Sequence, residues 1–139
     1  MNTSSANPAR ILLVDDDKAY TLLLEPYLSM KGYNIQVVND SMEALDLVKK
    51  QRFDLLILDL DMPGVHGIDI LKYVKEIDPQ TKVIINTGYS DIWNAIEAKG
   101  YGADEFMGKF TPDEVISKPL DIDVDVDHLC RLIERNLKS

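Results

Sequence analysis

Ile11-Leu12-Leu13-Val14-Asp15-Asp16-Asp17 and Leu55-Leu56-Ile57-Leu58-Asp59-Leu60-Asp61 share one pattern, four aliphatic residues running straight into carboxylates. Runs of this length are too short for a buried helix and too uniformly apolar for a strand with one wet face. They fit strands of a parallel sheet covered on both sides. Working outward, Ile35 to Val38 and Val83 to Asn86 read the same way, and a fifth strand is expected just before a lysine near the C-terminus. Helical patterns fill the intervals: Lys18 to Met30 closed by Gly32, and Met42 to Gln51 behind Ser41 as N-cap. Ile68 to Ile77 is closed by Asp78-Pro79 and Asp91 to Lys99 by Gly100, with a last helix over Val126 to Leu137. Pro26 is expected to interrupt and kink the first helix. Strict strand-helix alternation implies right-handed crossovers and a doubly wound sheet.

The chain has 139 residues, 45% of them hydrophobic, enough for one core and too few for a second domain of ordinary size. Residues 1–9 read as a disordered polar tail and 10–139 as the domain. Fifteen Lys and Arg stand against 24 Asp and Glu, a formal charge of −9. That balance argues against direct nucleic-acid binding, whose affinity comes mainly from neutralising phosphates. No signal peptide or membrane-spanning run is visible, and the single Cys130 among Leu129, Leu132 and Ile133 reads as a core residue. A reducing cytoplasm is the expected location.

In open α/β sheets ligands sit beyond the carboxyl ends of the strands, so the strand ends are where chemistry is sought. Here they carry Asp15-Asp16-Asp17, Asp59-Leu60-Asp61 and Asn86-Thr87-Gly88, followed by the lysine of the fifth strand. Alone, the first reads as a solvated turn, Thr87 as a turn residue and Asp59 as a cap. Independent caps would not all fall at the ends of alternate strands. Clustered carboxylates repel unless a cation neutralises them, and an all-oxygen set with room for water suits Mg²⁺. A carboxylate nucleophile, a metal, a hydroxyl donor and an ammonium are what phosphoryl transfer needs.

With these residues in place, the chain resembles the response-regulator receiver domains of two-component signalling. The resemblance runs over residues 10–137 and is carried by Ile11 to Asp17, Phe53 to Gly67, Val83 to Gly88 and Ser117-Lys118-Pro119-Leu120. It implies a flavodoxin-like, doubly wound five-stranded parallel sheet of order 2-1-3-4-5 with helices on both faces. It implies that Asp59 takes a phosphoryl group from a sensor histidine kinase or histidine phosphotransfer protein. Asp16 would hold Mg²⁺ directly and Asp15 through water, with Asp59 and the backbone carbonyl of Asp61 completing the metal set. Thr87 would bind a phosphoryl oxygen as the switch hydroxyl, and a lysine would pair with the phosphate. Met62-Pro63-Gly64 and Gly67 would shape the loop whose carbonyl faces the metal.

Two lysines compete for that role. Lys109 falls at the family's usual distance from Thr87 but is followed by Phe110, where the family has Pro; Lys118-Pro119 supplies the pair nine residues later. The two stretches match at that offset: Asp104/Asp113, Glu105/Glu114, Phe106/Val115, Met107/Ile116, Gly108/Ser117 and Lys109/Lys118. Val115-Ile116 is better strand material than Met107-Gly108, so Lys118 is favoured and the earlier copy becomes an enlarged loop. The family's switch aromatic, three residues before the lysine, would then be Val115 rather than Phe106. His66 and His128 read as surface or loop residues.

Two other readings remain. Leu58-Asp59-Leu60-Asp61 also fits the Asp-x-Asp loop of haloacid-dehalogenase-like phosphatases, although Met62-Pro63 and the strand-helix pair ahead of it do not. A phosphorylation-independent interaction module with the same fold is the third. The receiver reading makes the chain a signalling switch rather than an enzyme, catalysing only its own phosphoryl transfer and slow dephosphorylation. With no output domain after residue 139 in this sequence, the expected output is contact with a downstream protein target, with a phosphorylation-dependent dimer as one form.

Overall fold

The computed structural model describes residues 8–87, 92–108 and 119–138, with side chains described throughout except at 92–95 and 119–125. Five strands and five helices alternate: β1 (Arg10–Val14), α1 (Lys18–Met30), β2 (Asn34–Val38), α2 (Ser41–Lys50), β3 (Leu55–Leu58), α3 (Gly67–Ile77), β4 (Lys82–Thr87), α4 (Ile92–Gly100), β5 (Glu105–Gly108) and α5 (Pro119–Lys138). All strand pairs are parallel and the order is β2-β1-β3-β4-β5, the flavodoxin-like arrangement expected. The order reverses between β1 and β3, the place where such sheets bind ligands.

Alternation along the central strands splits the core into two layers, as a period of two requires. Leu12, Val14, Leu56, Leu58, Val83 and Ile85 pack toward α2, α3 and Ala98 of α4. Ile11, Leu13, Leu55, Ile57 and Ile84 pack toward α1 and α5, where buried Cys130 takes the core place foreseen for it.

Four details depart from the expectations. The fifth strand of the sheet is Glu105–Gly108, which pairs with β4 from Ile84↔Glu105 to Thr87↔Gly108, whereas the expected Val115-Ile116 stretch lies outside the described residues. What decides it is anchoring. Gly102, at φ +101°, turns the chain out of α4, and Asp104 N donates to Val83 O at 2.9 Å. The Asp104 carboxylate accepts from Val83 N at 2.8 Å and from Lys75 Nζ at 2.7 Å, and Arg135 of α5 pairs with Glu105. These contacts outweigh β-propensity, which counts for little in a half-exposed edge strand. Secondly, Asp40 rather than Ser41 caps α2, accepting from Glu43 N at 2.9 Å. Thirdly, α5 begins at Pro119, seven residues before Val126; a proline at the first helical position lacks only an N–H that would have had no partner. Lastly, α1 runs through Pro26 without interruption. Pro26 is exposed and Leu22, whose carbonyl loses its helical donor, is 72% exposed, so water can take that carbonyl.

Ala9 O already accepts from Asn34 N at 3.0 Å, so the sheet's hydrogen bonding reaches into the last residue of the expected tail; residues 1–7 lie outside the described set.

Candidate functional site

The ladder between β1 and β3 continues one residue past the strands, because Asp59 N donates to Val14 O at 3.0 Å. On the other side of β1, Asp15 N donates to Val38 O at 3.1 Å. Asp15 and Asp59 are therefore set side by side by backbone bonds, each nearly sealed at 1% and 2% exposure. Asp16 stands exposed at the mouth, and oxygens of Asp15, Asp16 and Asp59 all lie within 4.8 Å of one another. Of the three consecutive aspartates only Asp17 has the ordinary role of a cap, accepting from Tyr20 N at 3.1 Å, while its own N–H donates to Asp15 Oδ1 at 2.9 Å.

Thr87, at the end of β4 and buried, donates its hydroxyl to Asp59 Oδ1 at 3.0 Å. The same oxygen accepts from Asp61 N at 3.1 Å. The Asp61 side chain is exposed and stands outside the carboxylate group, so any part it takes in the pocket runs through its backbone. The loop after Asp59 returns close to it. A Cβ on Gly67 would lie 2.7 Å from both the Asp59 carbonyl oxygen and Leu60 Cα, so only glycine permits that approach. His66, exposed as expected, caps α3 through Nδ1, which accepts from Ile68 N at 3.2 Å. His128 is exposed on α5.

Three carboxylates with oxygen-only donors, two of them buried, fit a hard divalent cation, which is the metal chemistry typical of receivers. Among the described residues no other group of three or more potential ligands has this geometry. Lys109 and Lys118, the candidate phosphate partners, lie outside the described residues, as does Val115. Phe106 is on β5 and half exposed.

One feature beside the pocket has no local signal in the sequence. Asn86 turns to the α1 side of the sheet, where its Nδ2 donates to the Tyr20 hydroxyl at 2.7 Å across 66 residues of chain, while its buried Oδ1 has no hydrogen-bond partner among the described residues. Polar character at the inner end of a central strand is the one clue, and it does not name the partner.

Among the described residues no helix is long and apolar enough to cross a membrane. The family model of the response regulator receiver domain matches residues 11–121. Sporulation initiation phosphotransferase F of Bacillus subtilis is 39% identical over 107 residues, covering 76% of this chain and 86% of that protein. Transcriptional regulatory protein TrcR of Mycobacterium tuberculosis is 32% identical over 119 residues; the match covers 85% of this chain but only 46% of TrcR, and other transcriptional regulators are likewise spanned for less than half their length. The receiver domain of a putative Luxo repressor protein from Vibrio parahaemolyticus superposes with a TM-score of 0.78 at 27% identity, covering 94% of this chain and 91% of that one. A response regulator receiver domain protein from Clostridium thermocellum gives 0.69 at 31% identity, over 89% and 98%. The Asp-x-Asp loop lies within the matched span, which removes the dehalogenase-like reading. Receiver domains are signalling switches rather than conventional enzymes, and they work with histidine kinases and phosphotransfer proteins. On its sheet order, its acidic pocket and this match, the chain belongs to the response regulator receiver domain family.

Proposed function

We propose that Asp59 accepts a phosphoryl group from a phosphohistidine on a sensor histidine kinase or histidine phosphotransfer protein and so switches a protein-binding face. The observation that carries this is the placement of Asp59. It is buried at a strand end, within reach of two further carboxylates and bonded to the Thr87 hydroxyl at 3.0 Å. A carboxylate oxygen of Asp59 forms the new bond to phosphorus, the P–N bond to imidazole breaks, and the nitrogen keeps the electron pair. Asp15, Asp16, Asp59 and the Asp61 carbonyl would hold Mg²⁺, which supplies charge neutralisation for the phosphoryl oxygens. Thr87 and the Asp61 N–H now spend their hydrogen bonds on Asp59 Oδ1; in the acyl phosphate Thr87 donates to a phosphoryl oxygen instead.

For the lysine, the reading favours Lys109 over Lys118. Gly108, the last residue of β5, pairs with Thr87 at the pocket, and Lys109 is the next residue in the sequence. Phe106, three residues earlier, is then the switch aromatic, and its half-exposed ring supports an output face around α4, β5 and α5. That face would contact a downstream protein or a second phosphorylated copy, in the cytoplasm. The similarity to a sporulation phosphotransferase supports a place in a phosphorelay.

The test is intact mass after incubation with acetyl phosphate and Mg²⁺. A labile gain of about 80 Da, the mass of one phosphoryl group, is expected in wild type, absent in Asp59→Asn and absent under chelator. Lys109→Ala should lose most of the adduct and Lys118→Ala keep it. No adduct on wild type would leave the phosphorylation-independent module.

A further inference from the structure

We infer that Ser41 is a positioning residue for phosphoryl transfer, a clamp that holds the β3–α3 loop so that the Asp61 backbone faces the acidic pocket. The inference rests on the receiver reading of Asp59 above. Ser41 opens α2 and is 1% exposed, yet capping of that helix is already done by Asp40. Its hydroxyl is therefore available for another task. It donates to Pro63 O at 2.8 Å and accepts from Val65 N at 2.9 Å, both on the loop that leaves the phospho-acceptor. Between those partners Gly64 has φ +88°, and a Cβ there would lie 2.9 Å from Ser41 Oγ. The loop backbone thus lies directly against the hydroxyl.

The loop's ends are fixed independently. Asp61 N–H is bonded to Asp59 Oδ1 at 3.1 Å, and Gly67 packs on the Asp59 carbonyl. Ser41 supplies the only tether to its middle that comes from another helix among the described residues. A metal site that borrows a backbone carbonyl depends on that carbonyl being aimed before the ion arrives. Removing the hydroxyl would let Pro63 and Val65 turn to water, since Pro63 is exposed and Val65 partly so, and the loop would loosen without the core failing.

The experiment measures acetyl phosphate phosphorylation as a function of Mg²⁺ concentration. Ser41→Ala should need roughly three- to tenfold more Mg²⁺ for half-maximal rate, the effect of about one buried hydrogen bond, while the rate at saturating Mg²⁺ falls by less. Calorimetric Mg²⁺ titration without acetyl phosphate should show the same weakening. Met42→Ala, exposed on the same helical turn, should match wild type. A folded Ser41→Ala with wild-type Mg²⁺ dependence would overturn the clamp, as would equal weakening in Met42→Ala. A measurement on the wild-type protein needs no variant: the Val65 amide should exchange at least ~10-fold more slowly than open chain, and open-chain exchange would also overturn it. A wild type that takes no phosphoryl group would instead bring down the Asp59 reading and the clamp with it.

Discussion

The Thr87 hydroxyl donates to Asp59 Oδ1 at 3.0 Å, joining the ends of β4 and β3, which pair as neighbours in the sheet. The proposed phospho-acceptor and the proposed switch hydroxyl are thus in direct contact. Thr87→Ala removes a buried hydrogen bond to a charged group, worth about 1–3 kcal/mol. Thermal or urea unfolding at neutral pH should show that loss. The variant should still gain one phosphoryl group, several-fold more slowly than wild type in a mass-spectrometric time course.

Gly67→Ala places a methyl 2.7 Å from the Asp59 carbonyl oxygen and Leu60 Cα, both backbone atoms that cannot swing away. Overpacking of this kind costs about 1–3 kcal/mol, and here the displaced atoms belong to Asp59, the proposed phospho-acceptor, and its neighbour Leu60. Stability and phosphorylation rate should fall together. The corresponding change at Gly100, where a Cβ would meet nothing within 4 Å, should leave the rate unchanged.

Tyr20 and Asn86 test the asymmetry of buried polar pairs. Tyr20→Phe deprives Asn86 Nδ2 of its acceptor when Asn86 Oδ1 already has no partner among the described residues, and should cost about 1–3 kcal/mol. Adding Asn86→Leu removes the stranded amide, so the double variant should be more stable than Tyr20→Phe alone. Chemical denaturation of all four proteins in a double-mutant cycle measures the coupling. An additive result would show that the hydrogen bond contributes nothing to stability.

Cys130 gives a pH dependence with a defined sign. Burial in the core layer it shares with α1 is the largest cause that holds its thiol above the usual 9.0; the Lys31 and Arg131 charges oppose it, and the Asp127 and Glu134 charges reinforce it. A raised native pKa contributes stability that is fully present below the unfolded value and is lost as pH rises through the folded value. Stability should therefore fall through alkaline pH in wild type, and less steeply in Cys130→Ala when each is compared with its own value at neutral pH. The native thiol should also react slowly with iodoacetamide at pH 8 and quickly once unfolded.

Much of this protein is written locally. Apolar runs ending in Asp15, Asp59 and Thr87, separated by helical periodicities, are enough to give alternation, parallel pairing and a pocket at the strand ends, because each signal depends on residues within one turn or one strand. The fifth strand is not of that kind. Two stretches nine residues apart carry nearly the same pattern, and β-propensity pointed to Val115-Ile116. Pairing with β4 went to Glu105–Gly108 because Asp104 ties its entry to Val83 and Lys75, contacts that exist only once the sheet and α3 are assembled. Ser41 and Asn86 are similar cases. Their neighbours in sequence suggest a cap and a strand end, whereas their partners Pro63, Val65 and Tyr20 lie 22 to 66 residues away. Local physics determined which elements form and where the charges gather; long-range hydrogen bonds, which satisfy buried groups only in the folded chain, decided which strand closes the sheet and what holds the loop around Asp59.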